Sequence, residues 1–500
     1  MDSGRPNVLL IMADQLSASW LPAYGHGVVD APHLSALAEE SVVFESAYCP
    51  SPLCAPSRAA MLCGRLPSRT GVFDNAAEMR ASLPTFTHGL RDHGYFTATA
   101  GKMHFVGPDQ LHGFEERLTP DIYPADMDWT PDWRLEPSVR LPWYHTMESV
   151  LTPGACAASM QQDYDEEVAF RAVRKLFDLA REGPERPFFL TVSFTSPHDP
   201  WEQQPSYWER YDLDDIELPA VPRMPLEEAD PHSRRLREMY GAEDVELRDE
   251  QIRGARHGYF ASISYMDDKV GEVLAALRDA GLEEDTIVVF CADHGEMLGE
   301  RGLWYKMSFF EASARVPLFV RLPGRAAARV EAPVSLLDVG PTLLELAGAE
   351  GAEDSDGVSL LGLIEGGERT EPVLGEYLAE GLEAPQLMIR RGDLKFVACP
   401  GDPDQLYDLN ADPAELDNLA GGEDSVVDGF RDEVAEHWDL EDLRERVLES
   451  QRERSRVLSA LGKGAYTSWD FVPSVEAKSQ YVRSRADLYE LQRRARLDAS

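Results

Sequence analysis

This 500-residue sequence predicts an α/β fold, a doubly wound and mostly parallel sheet, followed by a smaller C-terminal antiparallel-sheet domain and a helical tail. Two observations carry the prediction. Four continuous apolar runs, at 7–13, 95–100, 188–194 and 286–292, are separated by stretches of helical composition, as expected for strands buried on both faces under crossover helices. Past Gly366-Gly367 the pattern changes to short strands and turns. The expected boundaries are a large α/β domain over 1–365, a small antiparallel domain over 366–423 and a helical extension over 424–500.

In chain order, the first run ends at Asp14-Gln15. Helix-like residues 84–93 and Gly94 lead into the second, which runs into Gly101-Lys102-Met103-His104. A helix over about 165–181 precedes the third, which ends at Ser196-Pro197-His198-Asp199. A helix over about 250–280 precedes the fourth, which ends at Asp293-His294-Gly295. In open α/β sheets ligands bind beyond the carboxyl ends of the strands. One polar strand end has a bland explanation, and for Asp14 a carboxylate capping the next segment is equally good; four together indicate a site. Residues 316–320 and a helix over 335–346 close the large domain. Segments 373–377, 387–390 and 394–397 around an Arg391-Gly392-Asp393 turn predict the small sheet.

Composition narrows the function. The formal net charge of −41 excludes nucleic acid and anionic membrane as partners, because both are polyanions. Only seven of the 48 basic residues are Lys, so an anionic substrate must be drawn in by a locally positive site. Six cysteines are too sparse for a disulfide scaffold. The N-terminal apolar run is too short for a signal-peptide core, and no run is long enough to span a bilayer, so a cytoplasmic protein is expected.

The most informative stretch is Cys54-Ala55-Pro56-Ser57-Arg58, with Cys63-Gly64-Arg65 after it. Turn-rich residues 48–53 followed by helical composition put Cys54 at a helix N-terminus, where free N–H groups favour an anion. This motif resembles that of type I sulfatases, Cys-x-Pro-Ser-Arg followed by Gly-Arg, in the alkaline phosphatase superfamily. In that family a formylglycine-generating enzyme oxidises the cysteine to formylglycine, whose hydrate is the nucleophile. The segment 101–114, the run 308–317, and the tail with Gly464-Ala465-Tyr466 and Trp469-Asp470 look like choline sulfatases in particular. Gln15, where most sulfatases carry Asp, is shared by choline sulfatases and phosphonate monoester hydrolases.

The resemblance implies a site. Asp14, Gln15, Asp293, His294 and modified Cys54 would hold one divalent cation, Ca2+ foremost, with Mn2+ or Mg2+ as alternatives. Arg58 would hold the nucleophile and cation-bound oxygens. Lys102, His198 and Lys306 would bind sulfate oxygens or assist the leaving alcohol, and His104 would take the second hydrate proton. Asn75 matches a family site residue. A quaternary ammonium needs aromatic faces and a carboxylate, and Trp129, Trp143, Tyr144, His145 and Glu380 are the candidates, though core packing explains any single aromatic as well.

The expected activity is hydrolysis of a small-molecule sulfate ester, choline-O-sulfate to choline and sulfate. Three other readings stay open: a phosphonate monoester or phosphodiester hydrolase with the same site, a sulfatase of another alkyl or aryl sulfate, and a non-catalytic sulfate- or metal-binding protein with unmodified Cys54. The tail, with Trp469, Phe471 and Tyr481 amid charge, predicts a homo-oligomer, dimer or tetramer.

Overall fold

The structure, a computed structural model, describes residues 5–182, 186–349, 354–421, 425–465 and 487–497. Its centre is an eight-stranded sheet in the spatial order Ala328–Val330, Val42–Phe44, Leu318–Arg321, Thr286–Ala292, Asn7–Asp14, Phe188–Pro197, Phe96–Gly101, Glu116–Arg117. The four apolar runs are four neighbouring strands of it, all parallel: Ile11 pairs with Val192 on one side and Phe290 on the other, and Ala98 with Leu190. Leu318–Arg321 joins antiparallel beside Thr286–Ala292, so the sheet is mixed towards that edge. Near-complete burial of these strands explains why they read as unbroken apolar runs rather than alternating ones.

Two groups of helices cover the sheet. One is Pro32–Glu39, Met160–Glu182 and Asp249–Asp279; the other is Cys54–Cys63, Phe86–Asp92 and Val339–Leu346. Several ends differ from the sequence expectation for local reasons. The helix expected from 84 starts at Phe86, because the Thr85 hydroxyl and the His88 ring form a capping box. Residues 316–320, expected only to close the large domain, are divided at Pro317 between the strands Arg315–Val316 and Leu318–Arg321, which join different sheets. The helix expected from 335 opens with the 3-10 turn Leu336–Asp338, capped by Ser335.

The small sheet contains the three expected strands, Val373–Tyr377, Gln386–Arg391 and Leu394–Ala398, and a fourth, Gln405–Asp408. The helical extension contains Ser425–His437, Leu440–Leu461 and Leu488–Ala495. Tyr466, Trp469, Asp470, Phe471 and Tyr481 lie outside the described residues. Among the described residues, no helix is long and apolar enough to cross a membrane.

One glycine bears directly on the site. A Cβ on Gly101 would lie 1.9 Å from the Ser193 carbonyl oxygen, and its φ is +106°. Only glycine lets the chain close against the neighbouring strand there and turn sharply into Lys102 and His104.

Candidate active site

Because the four strands are parallel, their carboxyl ends meet at one edge. Asp14 is the last residue of its strand, Asp293 and His294 follow theirs, and Cys54 begins a helix aimed at the same place. No side chain of its own flank caps that helix; instead the Asn75 Oδ1 accepts from Ala55 N at 2.9 Å. Asp14, Cys54, Asp293 and His294, all buried, bring one ligand atom each to within 4.8 Å of one another.

The electrostatics of this cluster fit a hard divalent cation. Burial and the neighbouring Asp293 push Asp14 up to about 6 against the pull of Lys102, Arg58 and Lys306, so the two carboxylates crowd each other. Burial also opposes ionisation of Asp293, but Arg58 and His294 hold it well below the usual carboxylate range. His294 is depressed to about 3, by burial first. Its Nδ1–H donates to the Gly295 carbonyl at 3.0 Å, which leaves the Nε2 lone pair 3.1 Å from Cys54 Sγ and 3.7 Å from both Asp14 and Asp293. A backbone carbonyl fixing the far nitrogen in this way is how histidine is presented to a metal. Gln15, at φ 65°, is held differently: its Oε1 accepts from Lys306 Nζ at 2.5 Å, and its Nε2 donates to Glu296 at 2.6 Å and Asp199 at 3.3 Å.

Three cations surround the cluster. Arg58 Nε pairs with Asp293 at 2.7 Å and Nη1 donates to Ser193 Oγ at 2.8 Å; Nη2 is buried and, among the described residues, has no hydrogen-bond partner. Lys102 Nζ pairs with Asp14 Oδ2. Lys306 Nζ also donates to His198 Nε2 at 2.8 Å, so His198 carries its proton on Nδ1, which meets the Asp199 carbonyl at 2.7 Å. Burial and Lys306 keep the His198 ring neutral, whereas Lys306 is raised, because Cys54, Asp199 and Asp14 outweigh its burial. Burial and Lys102 likewise keep His104 neutral, and neither of its ring nitrogens has a hydrogen-bond partner among the described residues.

Above this floor lies a narrow pocket of about 20 Å³ lined by Cys54, Asn75, His104, Tyr123, Trp129, Trp143, His145, His198, Lys306 and Glu380. The Trp129 and Trp143 rings stack at 6.5 Å and 18°, too close to admit a cation between them, so they form one wall and not a clamp. Tyr144 stands behind that wall, edge-on to Trp143 at 4.3 Å. Glu380, on the same pocket, is buried with its Oε2 unpartnered among the described residues. Burial, with Asp74 adding and Lys306 opposing, pushes it up to about 7.

The sulfatase family profile matches residues 6–349, a profile described as choline sulfatase enzyme C terminal matches 445–497, and one described as N-sulphoglucosamine sulphohydrolase, C-terminal, matches 299–442. The chain belongs to the sulfatase family. It is a sulfuric ester hydrolase. This sulfatase is 49% identical to the choline-sulfatase of Rhizobium meliloti (strain 1021) over 98% of each chain, and 30% identical to arylsulfatase K of Gallus gallus over 84% of this chain and 79% of that one. The phosphonate monoester hydrolase of Agrobacterium radiobacter has a similar structure, with a TM-score of 0.70 and 27% identity over 89% of this sulfatase and 96% of that chain.

Four residues at the sulfatase site escaped the sequence reading. Asp199 was within reach, since it follows His198 at a strand end. Burial opposes its ionisation, but His198, His145 and Lys306 hold it well below the usual range. Glu296, two positions after His294, accepts from Gln15 and from the backbone of Leu298 and Tyr305, and so sets the turn that carries Lys306. Tyr123, whose ring lies 4.3 Å from Lys102 Nζ, and Asp121, which accepts from the backbone of Met103 and His104, sit in irregular chain without a local signal.

Proposed function

We propose that this sulfatase hydrolyses choline-O-sulfate to choline and sulfate. The observation that carries the reading is that one pocket is lined by Cys54 and the Lys306 ammonium, with Arg58 and Lys102 paired to the carboxylates around Cys54, and also by an aromatic wall and by Glu380, whose buried Oε2 has no partner among the described residues. A zwitterion with sulfate at one end and a fixed cation at the other matches it. The 49% identity to a choline-sulfatase supports the same reading.

Asp14, Asp293, His294 and Gln15, with Cys54, would hold the divalent cation, Ca2+ foremost. Formylglycine made from Cys54 by a formylglycine-generating enzyme supplies a hydrate nucleophile, and the cation supplies a lowered hydrate pKa and charge neutralisation at the sulfate. The chain's own side chains do the rest. Arg58 offers its unpartnered Nη2 to an oxyanion, and Lys102 and Lys306, both buried, neutralise developing negative charge. Lys306, protonated and hydrogen-bonded to neutral His198, is placed to give a proton to the departing alcohol. His104, neutral and unpartnered, is placed to accept one from the hydrate. Asn75 fixes the N-terminus of the Cys54 helix while facing the pocket.

The experiment compares choline-O-sulfate with a small aryl sulfate and with a phosphonate monoester. Each cation–π contact contributes about 0.5–2 kcal/mol, so Trp129→Ala and Glu380→Gln together should lower kcat/KM for choline-O-sulfate on the order of a hundredfold, with much smaller losses on the aryl sulfate. Faster wild-type turnover of the aryl sulfate or the phosphonate would overturn the reading.

A pH profile tests Glu380 separately. Choline carries a fixed charge, so its attraction is lost as Glu380 becomes protonated. The ratio of kcat/KM for choline-O-sulfate over the aryl sulfate should be flat well above pH 7 and fall as pH drops through about 7. The Glu380→Gln variant should show no such inflection. An inflection that persists in that variant means another group is responsible.

We also propose a homo-oligomer, dimer or tetramer. The two large apolar residues Val457 and Leu461, one turn apart on the long C-terminal helix, are 45% and 48% exposed and offer a contact surface. Light scattering should give a mass that is a multiple of 55.7 kDa; a single-chain mass would refute it.

A further inference from the structure

We propose that Arg454, on the helix Leu440–Leu461, is a positioning residue for the alcohol half of the pocket, and that its buried pair with Asp74 makes this helix a determinant of which alcohol the enzyme accepts. The inference rests on reading the wall of Trp129, Trp143 and Glu380 as the alcohol site.

The segment 118–147, which supplies Tyr123, Trp129, Trp143 and His145, contains no strand or helix. Its backbone cannot hold those rings by itself, so ties to other elements must do so. One stripe of the helix Leu440–Leu461 is buried, formed by Leu443, Val447, Gln451 and Arg454 at spacings of one turn. The Arg454 guanidinium grips Asp74 with both ends of its fork, Nη1 to Oδ1 at 2.6 Å and Nη2 to Oδ2 at 2.7 Å, and Nη1 also donates to Thr130 Oγ1 at 3.1 Å. Asp74 precedes Asn75, which lines the pocket and caps the Cys54 helix. Thr130 follows Trp129.

Gln451, one turn away, accepts from Trp133 N at 2.9 Å, and Trp133 Nε1 donates to the Ala379 carbonyl at 2.7 Å, next to Glu380. Three segments far apart in sequence, each carrying a pocket residue, are thus tied to one helix face. Asp14, Asp293 and His294, by contrast, are held at strand ends and by Arg58, and Cys54 is linked to this helix only indirectly, through Asn75 on Ala55 N. A change at Arg454 should therefore displace the wall, which it touches directly at Thr130, much more than the sulfate end.

The test measures kcat and KM of Arg454→Gln, Arg454→Lys and the double variant Asp74→Asn/Arg454→Met on choline-O-sulfate and on 4-nitrophenyl sulfate, with choline quenching of tryptophan fluorescence as a second readout. Arg454→Gln should raise KM for choline-O-sulfate by about tenfold or more and weaken the quenching in parallel, with turnover of 4-nitrophenyl sulfate within about threefold of wild type; Arg454→Lys should recover part of the loss. Removing one partner leaves a buried charge unpaired, so Arg454→Gln could unfold; the double variant leaves no unpaired charge and should show the same split. Equal losses on both substrates in a folded variant, or no change on either, would overturn the proposal. A wild type that does not prefer choline-O-sulfate refutes the substrate reading instead; Arg454 is then judged by whether the preferred alkyl sulfate loses KM selectively against the aryl sulfate.

Discussion

Cys54→Ala abolishes turnover of every sulfate ester and leaves the fold intact: that is the largest effect expected in this protein, on the order of a millionfold by comparison with removal of other enzymes' nucleophiles. Burial pushes the Cys54 thiol up to about 11, so an unmodified Cys54 stays protonated at neutral pH and is a feeble nucleophile. Among the described strand ends the other groups are carboxylates and amines already engaged in pairs, and imidazoles, of which His104 is buried and without a hydrogen-bond partner. The helix survives the substitution because its N-terminus is held by Asn75 and not by the Cys54 side chain. Mass spectrometry of the Cys54 peptide from active protein should show the thiol converted. Residual turnover in Cys54→Ala, or an active preparation with Cys54 wholly unmodified, sinks the mechanism.

Asp293→Ala should lose bound divalent cation and activity together, by about a thousandfold or more in rate, since an oxygen-rich site short of one carboxylate holds a hard ion poorly. The same change frees Arg58 inside the protein. Arg58 and Asp293 are both fully buried and 2.7 Å apart, and breaking such a pair costs about 3–5 kcal/mol, so a lowered melting temperature should accompany the loss. Asp293 also accepts from the backbone N–H groups of Gln15 and His294, so the turn after the first strand should loosen with it. Metal analysis after dialysis decides the point: full metal content in the variant places the ion elsewhere.

Much of this was legible before the structure. The four apolar runs are buried parallel strands because only a strand covered on both faces drops the polar residue at every second position. Parallel strands must end on one side, so Asp14, Lys102, His104, His198, Asp293 and His294 were bound to share an edge once the runs were recognised as strands. Cys54 at the start of a helix was readable from its turn-rich flank and the helical composition after it, and the structure has Gly64 at φ 62° closing that helix.

What local sequence could not convey was everything fixed by contacts between distant, irregular segments. Trp129, Trp143, His145 and Glu380 were chosen by residue type and resemblance, and nothing in their spacing says that they share a pocket. Asp121 holds the turn of His104, Glu296 holds that of Lys306, and Asp74 meets Arg454 across 380 positions. The sequence alone determined the four central parallel strands and the chemistry gathered at their ends, because hydrophobic periodicity is a local property that each strand expresses for itself. The tertiary structure alone decided which loops face one another over that edge, which carboxylate is left without a partner, and that a C-terminal helix of the same chain backs the pocket, because single hydrogen bonds and buried ion pairs between remote segments leave no period in the chain.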